Sequence, residues 1–223
     1  MKRTPLHQRS LPVYSRGEEQ MNTITHAAGS LMSIAGLVLL ILQASFRRNI
    51  WAISTGSVYG ASLIAMFTVS AVYHGLTTDL SKKVMQVIDH CTIYFLIAGT
   101  YTVIVLTALR PVYPGLAWAL FGFEWTLAIL AATLTAIDLK VYEVFSMICY
   151  IGMGWAVIPF WKQLLEVLTP AGFLLVLTGG IAYTIGSVLY GLGVKKKWMH
   201  SIFHIFVVLG AGLHFLAVLL YAL

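Results

Sequence analysis

The sequence predicts an all-α integral membrane protein, a seven-transmembrane-helix bundle with its N-terminus cytoplasmic and its C-terminus extracellular or periplasmic. Three observations carry that expectation. Apolar runs of about 20 residues, the length that crosses ~30 Å of hydrocarbon at 1.5 Å per residue, recur seven times. Only 10% of the 223 residues are charged, against about 25% in soluble domains. These charges cluster between the runs, as expected where a charge in lipid costs several kcal/mol. Finally, the 14 Lys and Arg residues divide unevenly between alternate sides of the chain, and that asymmetry sets orientation.

The runs fall at 25–45, 51–73, 87–109, 114–135, 142–161, 172–192 and 200–221. Polar punctuation separates them: Arg47 and Arg48, then Asp79 with Lys82 and Lys83, Arg110 to Pro114, Asp138 to Lys140, Glu166 to Pro170, and Lys195 to Lys197. Such short links make sequential helices antiparallel neighbours in one domain, 25–223, behind a cytoplasmic tail, 1–24. The tail has no apolar core of a signal peptide, so the first run is expected to direct insertion. Lys2, Arg3, Arg9, Arg16, Lys82, Lys83, Lys140 and Lys195 to Lys197 share one side, while only Arg47, Arg48, Arg110 and Lys162 lie on the other. The richer side is cytoplasmic by the positive-inside rule. Gly29, Ser33 and Gly36, with Gly56, Gly60 and Ala61, form small-residue stripes suited to close helix approach. Trp51, Trp118, Trp161 and Trp198 fall near run ends and read as interface anchors.

A soluble globular protein is excluded by a mean hydropathy of +0.87. The net charge of +6 does not point to nucleic acid, because the basic residues are scattered over several loops with no interleaved aromatics. Anionic membrane lipids are the expected counterpart, in a multi-pass protein of the cell membrane. Cys91 and Cys149 both sit inside apolar runs, so neither a disulfide framework nor a thiolate metal cluster is expected.

An ionisable group at membrane depth is a functional hypothesis by default. The second run ends on Ser70 and His74, the third opens with Asp89 and His90, and the seventh opens with His200 and His204. The topology therefore brings all of them to one level near the cytoplasmic face. His200 and His204 are one turn apart on the same helix face. With His74 they make a three-histidine metal site with an open fourth position, the arrangement of catalytic zinc. Asp89 is the candidate to orient a water or accept its proton, since no Glu follows His200 as in an HExxH protease. Ser70, one turn from His74, faces the same way and is placed to hydrogen-bond a substrate carbonyl or the bound water, or else its own helix backbone.

Plainer roles compete. An isolated HxxxH pair is a weak motif, and a membrane-helix serine commonly serves packing. His90 points about 100° away from Asp89. His214, about 15 Å deeper than His204, reads as a separate buried histidine. Glu124 lies mid-run and suits either a neutral packing role or a proton path.

Further motifs give a family resemblance. Glu19, Asn22 and His26 form E-x2-N-x3-H; Ser70 to His74 form S-x3-H; residues 89–102 are close to DHxxIYxLIAGTYT; and His200 to His204 form H-x3-H. Over nearly its whole length the sequence resembles the bacterial hemolysin III family, the prokaryotic arm of the progestin and adipoQ receptor family, itself grouped with alkaline ceramidases among membrane hydrolases. The resemblance implies a seven-helix fold, zinc on His74, His200 and His204, assistance from Asp89 and Ser70, and amide-linked lipids as substrates. Val103 departs from a pattern that carries proline there. The expected function is a zinc-dependent lipid amide or ester hydrolase, the alternative a non-catalytic sensor of membrane state with a structural zinc. Cytolysis and ion transport are the weakest readings.

Overall fold

A computed structural model describes residues 4–193 and 195–223; Lys2 and Arg3, part of the basic count above, lie outside the described residues. The described residues contain helices and no strand, and six helical stretches are long and apolar enough to cross a membrane. The helices are α1 (Arg16–Phe46), α2 (Ile50–Gly75), α3 (Asp79–Val103), α4 (Pro114–Ile137), α5 (Glu143–Trp155), α6 (Trp161–Gly193) and α7 (Met199–Ala217). α1 starts well ahead of the apolar run at 25, because a capping box begins it. The Ser15 hydroxyl accepts from the Glu18 N–H, and the Glu18 carboxylate accepts from the Ser15 N–H at 2.9 Å. Glu18 and Glu19 also place negative charge in the first turn, where the helix dipole favours it.

α3 continues into a π-helical turn, Ile104–Leu109, immediately after Val103. The fifth and sixth apolar runs lie in one stretch, Glu143–Gly193, of 51 residues. It is not a rod. A 3-10 turn at Ile158–Phe160 interrupts it, and α6 kinks at Thr169, φ 63 and ψ 165, just before Pro170. Trp155 Nε1 donates to Thr184 Oγ1 at 2.9 Å, whereas a straight helix would hold these residues ~40 Å apart. The chain therefore folds back on itself within this stretch.

Sequential helices pack as neighbours, α1 on α2, α2 on α3, α3 on α4 and α6 on α7, and α1 meets α7 to close the bundle. α3 is central: its most apolar window is 72% buried, against 22% to 44% in the other stretches. Gly29 and Gly36 permit the close contacts of α1, since a Cβ would come within 2.6 Å of the Phe67 ring and 2.9 Å of Phe215. Ala61, expected in the same role, is exposed instead. Outward faces carry large apolar side chains such as Leu31, Ile148 and Val188, 61% to 70% exposed. An apolar exterior around a closed bundle is the signature of lipid as solvent, and the chain is a multi-pass membrane protein. Cys91 and Cys149 are free.

The two ends differ. One carries the α2–α3 link, the start of α7 and residues 4–15, which bond to Ile137 and Asp138. At the other, Gln43 Nε2 donates to Leu219 O at 2.6 Å, Arg47 bonds to the Leu223 carbonyl, and the Arg110 guanidinium lies 3.9 Å from the Trp51 ring centroid.

Candidate metal centre

His74 occupies the last turn of α2, while His200 and His204 face it from the first turns of α7. α7 can start there because Trp198 adopts a left-handed conformation, φ 66, with its N–H held by Glu18 Oε1 at 2.6 Å. All three imidazoles are buried, 1% to 7% exposed. His200 Nε2 lies 3.4 Å from His74 Nε2 and 3.1 Å from His204 Nε2, and one ring nitrogen from each falls within a 4.8 Å group. Tetrahedral zinc with Zn–N of 2.0–2.1 Å places neighbouring ligand nitrogens about 3.3–3.4 Å apart. The three histidines can therefore hold a metal ion as they stand.

The ring of His74 is already oriented. Its Nδ1 lies 2.7 Å from Glu19 Oε2, and a carboxylate only accepts, so the proton resides on Nδ1 and the Nε2 lone pair faces the other two histidines. A carboxylate behind a metal-binding histidine fixes tautomer and raises ligand basicity. Glu19 is itself held by Lys82, whose Nζ donates to Glu19 Oε1 at 2.7 Å, to Leu76 O at 3.1 Å and to His74 O at 3.4 Å. All three ammonium protons are thus used where α2 ends.

A cavity of about 160 Å³ opens onto His200 and His204. Its wall includes Ser70, Asp89, His90, His200 and His204, and at the far end His214. Ser70 and Asp89 thus share a chamber with His200 and His204, and Asp89 is not one of the grouped ligands. The His90 carbonyl accepts from Tyr150 Oη at 2.8 Å, and its ring faces Tyr190, placing it on the wall, apart from the group. His214, bonded through Nε2 to Val176 O at 3.0 Å, is separate from the cluster but lines the same chamber. Glu124 is fully buried, has no side-chain partner among the described residues, and lines neither this chamber nor the smaller cavity beyond it.

Sequence reasoning did not place Glu19 and Lys82 behind His74, nor Tyr14 beside His200, where the two rings stack with centroids 4.7 Å apart. The available signal was the 3-and-4 spacing of Glu19, Asn22 and His26, one helix face that exists only if the helix begins before residue 25. That face turns inward: Asn22 and His26 are buried, and the His26 ring packs 3.8 Å from that of His204.

A family model described as "Haemolysin-III related" matches residues 14–215. The chain belongs to the haemolysin-III related family. Among its curated relatives, "Hemolysin-3" of Bacillus cereus is 38% identical over 206 residues, covering 92% of each chain. "Hemolysin-3 homolog" of Bacillus subtilis (strain 168) is 36% identical, covering 92% of this chain and 94% of the relative. "Monocyte to macrophage differentiation factor" of Homo sapiens is 26% identical over 90% of this chain and 83% of its own. The haemolysin-III match spans all of the helices that carry His74, His200 and His204 except the last residues of α7.

Proposed function

We propose that this haemolysin-III related protein is a zinc-dependent membrane hydrolase of lipid amides or esters, with His74, His200 and His204 as ligands, Asp89 as general base and Ser70 as the donor to the substrate carbonyl. The observation that carries this reading is the metal-ligand spacing of His200 Nε2 from His74 Nε2 and His204 Nε2, with His200 and His204 on the wall of a chamber that also holds the Asp89 carboxylate and the Ser70 hydroxyl. A purely structural zinc site is normally closed by four protein ligands, whereas this group offers three.

Zinc held by three histidines acidifies water to a pKa of about 7 and polarises a carbonyl. The chain's own residues do the remainder. Asp89 accepts the proton released as water attacks and returns it to the leaving amine or alkoxide. Ser70 hydrogen-bonds the carbonyl oxygen. The chamber, reaching about 15 Å along α7 from His204 to His214, receives the acyl chain and excludes bulk water. Lipids of the surrounding membrane are the substrate pool.

Seven crossings suit this arrangement: the fold-back within Glu143–Gly193 supports counting that stretch as two spans, and an odd number matches chain ends at opposite ends of the bundle. Arg9, Arg16, Lys82, Lys83, Lys140 and Lys195 to Lys197 gather at the histidine end, which supports a cytoplasmic N-terminus and an extracellular or periplasmic C-terminus.

The test is metal content and turnover of the detergent-purified protein on a panel of ceramide-type amides and lipid esters, beside Asp89→Asn. Both proteins should hold one zinc per chain, with turnover about 10²- to 10⁴-fold lower in the variant. Zinc-loaded wild type that cleaves nothing, with Asp89→Asn indistinguishable from it in cells, would sink the proposal.

A further inference from the structure

We infer that the segment ahead of α1 belongs to the metal centre: Tyr14 is a positioning residue that holds the His200 ring, and residues 4–15 close the mouth of the chamber. The segment is tied down at both ends. On one side the Thr4 N–H donates to Asp138 Oδ2 at 2.9 Å, Arg9 Nη2 to Ile137 O at 2.7 Å, and Lys83 Nζ to His7 O at 3.1 Å. On the other, the Ser15–Glu18 capping box starts α1, and Glu18 reaches on to the Trp198 N–H. Gly17 lies so close to Trp198 that a Cβ would meet its ring at 3.2 Å.

Between these anchors the Tyr14 ring stacks on His200, centroids 4.7 Å apart at 26°, and stands 5.8 Å from His74. Pro12 and Tyr14 are both part of the chamber wall. The Tyr190 and Phe203 rings lie with centroids 5.6 and 5.4 Å from that of His200, so Tyr14 completes an aromatic sleeve around this imidazole. Removing it frees the ring to rotate and opens a path for water from the end of the bundle.

Two arms test this. The positioning arm rests on the metal reading above: zinc-loaded protein is mixed with excess chelator and the half-time of zinc loss is read for wild type, Tyr14→Ala and Tyr14→Phe. Tyr14→Ala should lose zinc about tenfold faster, the range seen when support behind a ligand is lost, and Tyr14→Phe, which keeps the stack, should match wild type. Equal half-times for Tyr14→Ala and wild type overturn the positioning role.

The closure arm needs no metal. Ser187 lines the chamber, so Ser187→Cys, with Cys91 and Cys149 replaced by alanine, is labelled with a charged maleimide. Tyr14→Ala, Asp138→Ala and Arg9→Ala should each speed labelling about fivefold, the effect of one lost hydrogen bond or contact on a closed-to-open equilibrium. Unchanged labelling in all three overturns closure. A chain that binds no zinc defeats the function proposed above and the positioning role with it, and the labelling arm still decides closure.

Discussion

Replacing Glu19 by glutamine isolates what the carboxylate behind His74 contributes. Glu19 receives two charge-assisted hydrogen bonds, from His74 Nδ1 and Lys82 Nζ, both 2.7 Å long. Glutamine keeps the shape but offers one accepting oxygen, and its NH2 group cannot accept from either donor. One donor is therefore left without its partner. A hydrogen bond to a charged group contributes about 1.5–3 kcal/mol, and 1.36 kcal/mol is a factor of ten. Zinc affinity should fall about 10- to 100-fold, in line with other residues that orient metal-binding histidines. The assay is competition against a fluorescent chelator near neutral pH in detergent. Glu124→Gln is the control, since that carboxyl is buried without a side-chain partner among the described residues and lies away from the chamber, and its affinity should equal wild type. Glu19→Gln with undiminished affinity would refute the orienting role.

Other expectations follow from the same geometry. His200→Ala should abolish stoichiometric zinc while His90→Ala retains it; equal zinc content in the two would show that the trio is not the binding group. Thr169 sits at φ 63, ψ 165, a region that is essentially glycine's own, so Thr169→Gly should stabilise the protein by about 1 kcal/mol despite glycine's greater chain entropy. A lower apparent melting temperature would contradict that strain. Burial pushes the Asp138 carboxyl up, but the Thr4 and Val141 N–H groups and the Arg9 charge outweigh it and hold it below the usual carboxylate range. The stabilisation is therefore complete above the ordinary Asp value of about 3.9 and is lost as pH falls through the depressed folded value. Hydrogen exchange of residues 4–12, corrected for intrinsic pH dependence, should stay slow down to about pH 4 and rise only in stronger acid.

The helices and the trio were legible in the sequence for a simple reason. Apolar length reports membrane crossings, and with alternating polarity it fixes depth, so His74, Asp89 and His200 could be placed at one level from three distant segments. α1's true start could not be read that way. Hydropathy sees residue 25, whereas the helix is begun by Ser15 and Glu18, and a cap is a local hydrogen-bond event with no hydropathic weight. The supports of the centre were hidden for a different reason. The partnership of Glu19 with Lys82 and His74 and the stacking of Tyr14 on His200 are side-chain contacts across large sequence separations, and no periodicity encodes them. The fold-back near Thr169 was implied by two apolar runs, but a β-branched residue gave no warning that the bend would use a positive φ.

The distance along the chain between the grouped histidines has a consequence for biosynthesis. His74 is translated early, with Glu19 already made to receive it, yet His200 follows 126 residues later. Until α7 has entered the bilayer, a nascent chain possesses one imidazole of the group, His74, and lacks the other two. On the zinc reading, metal acquisition is then a late event of assembly, and a product truncated before α7 lacks two of the three proposed ligands.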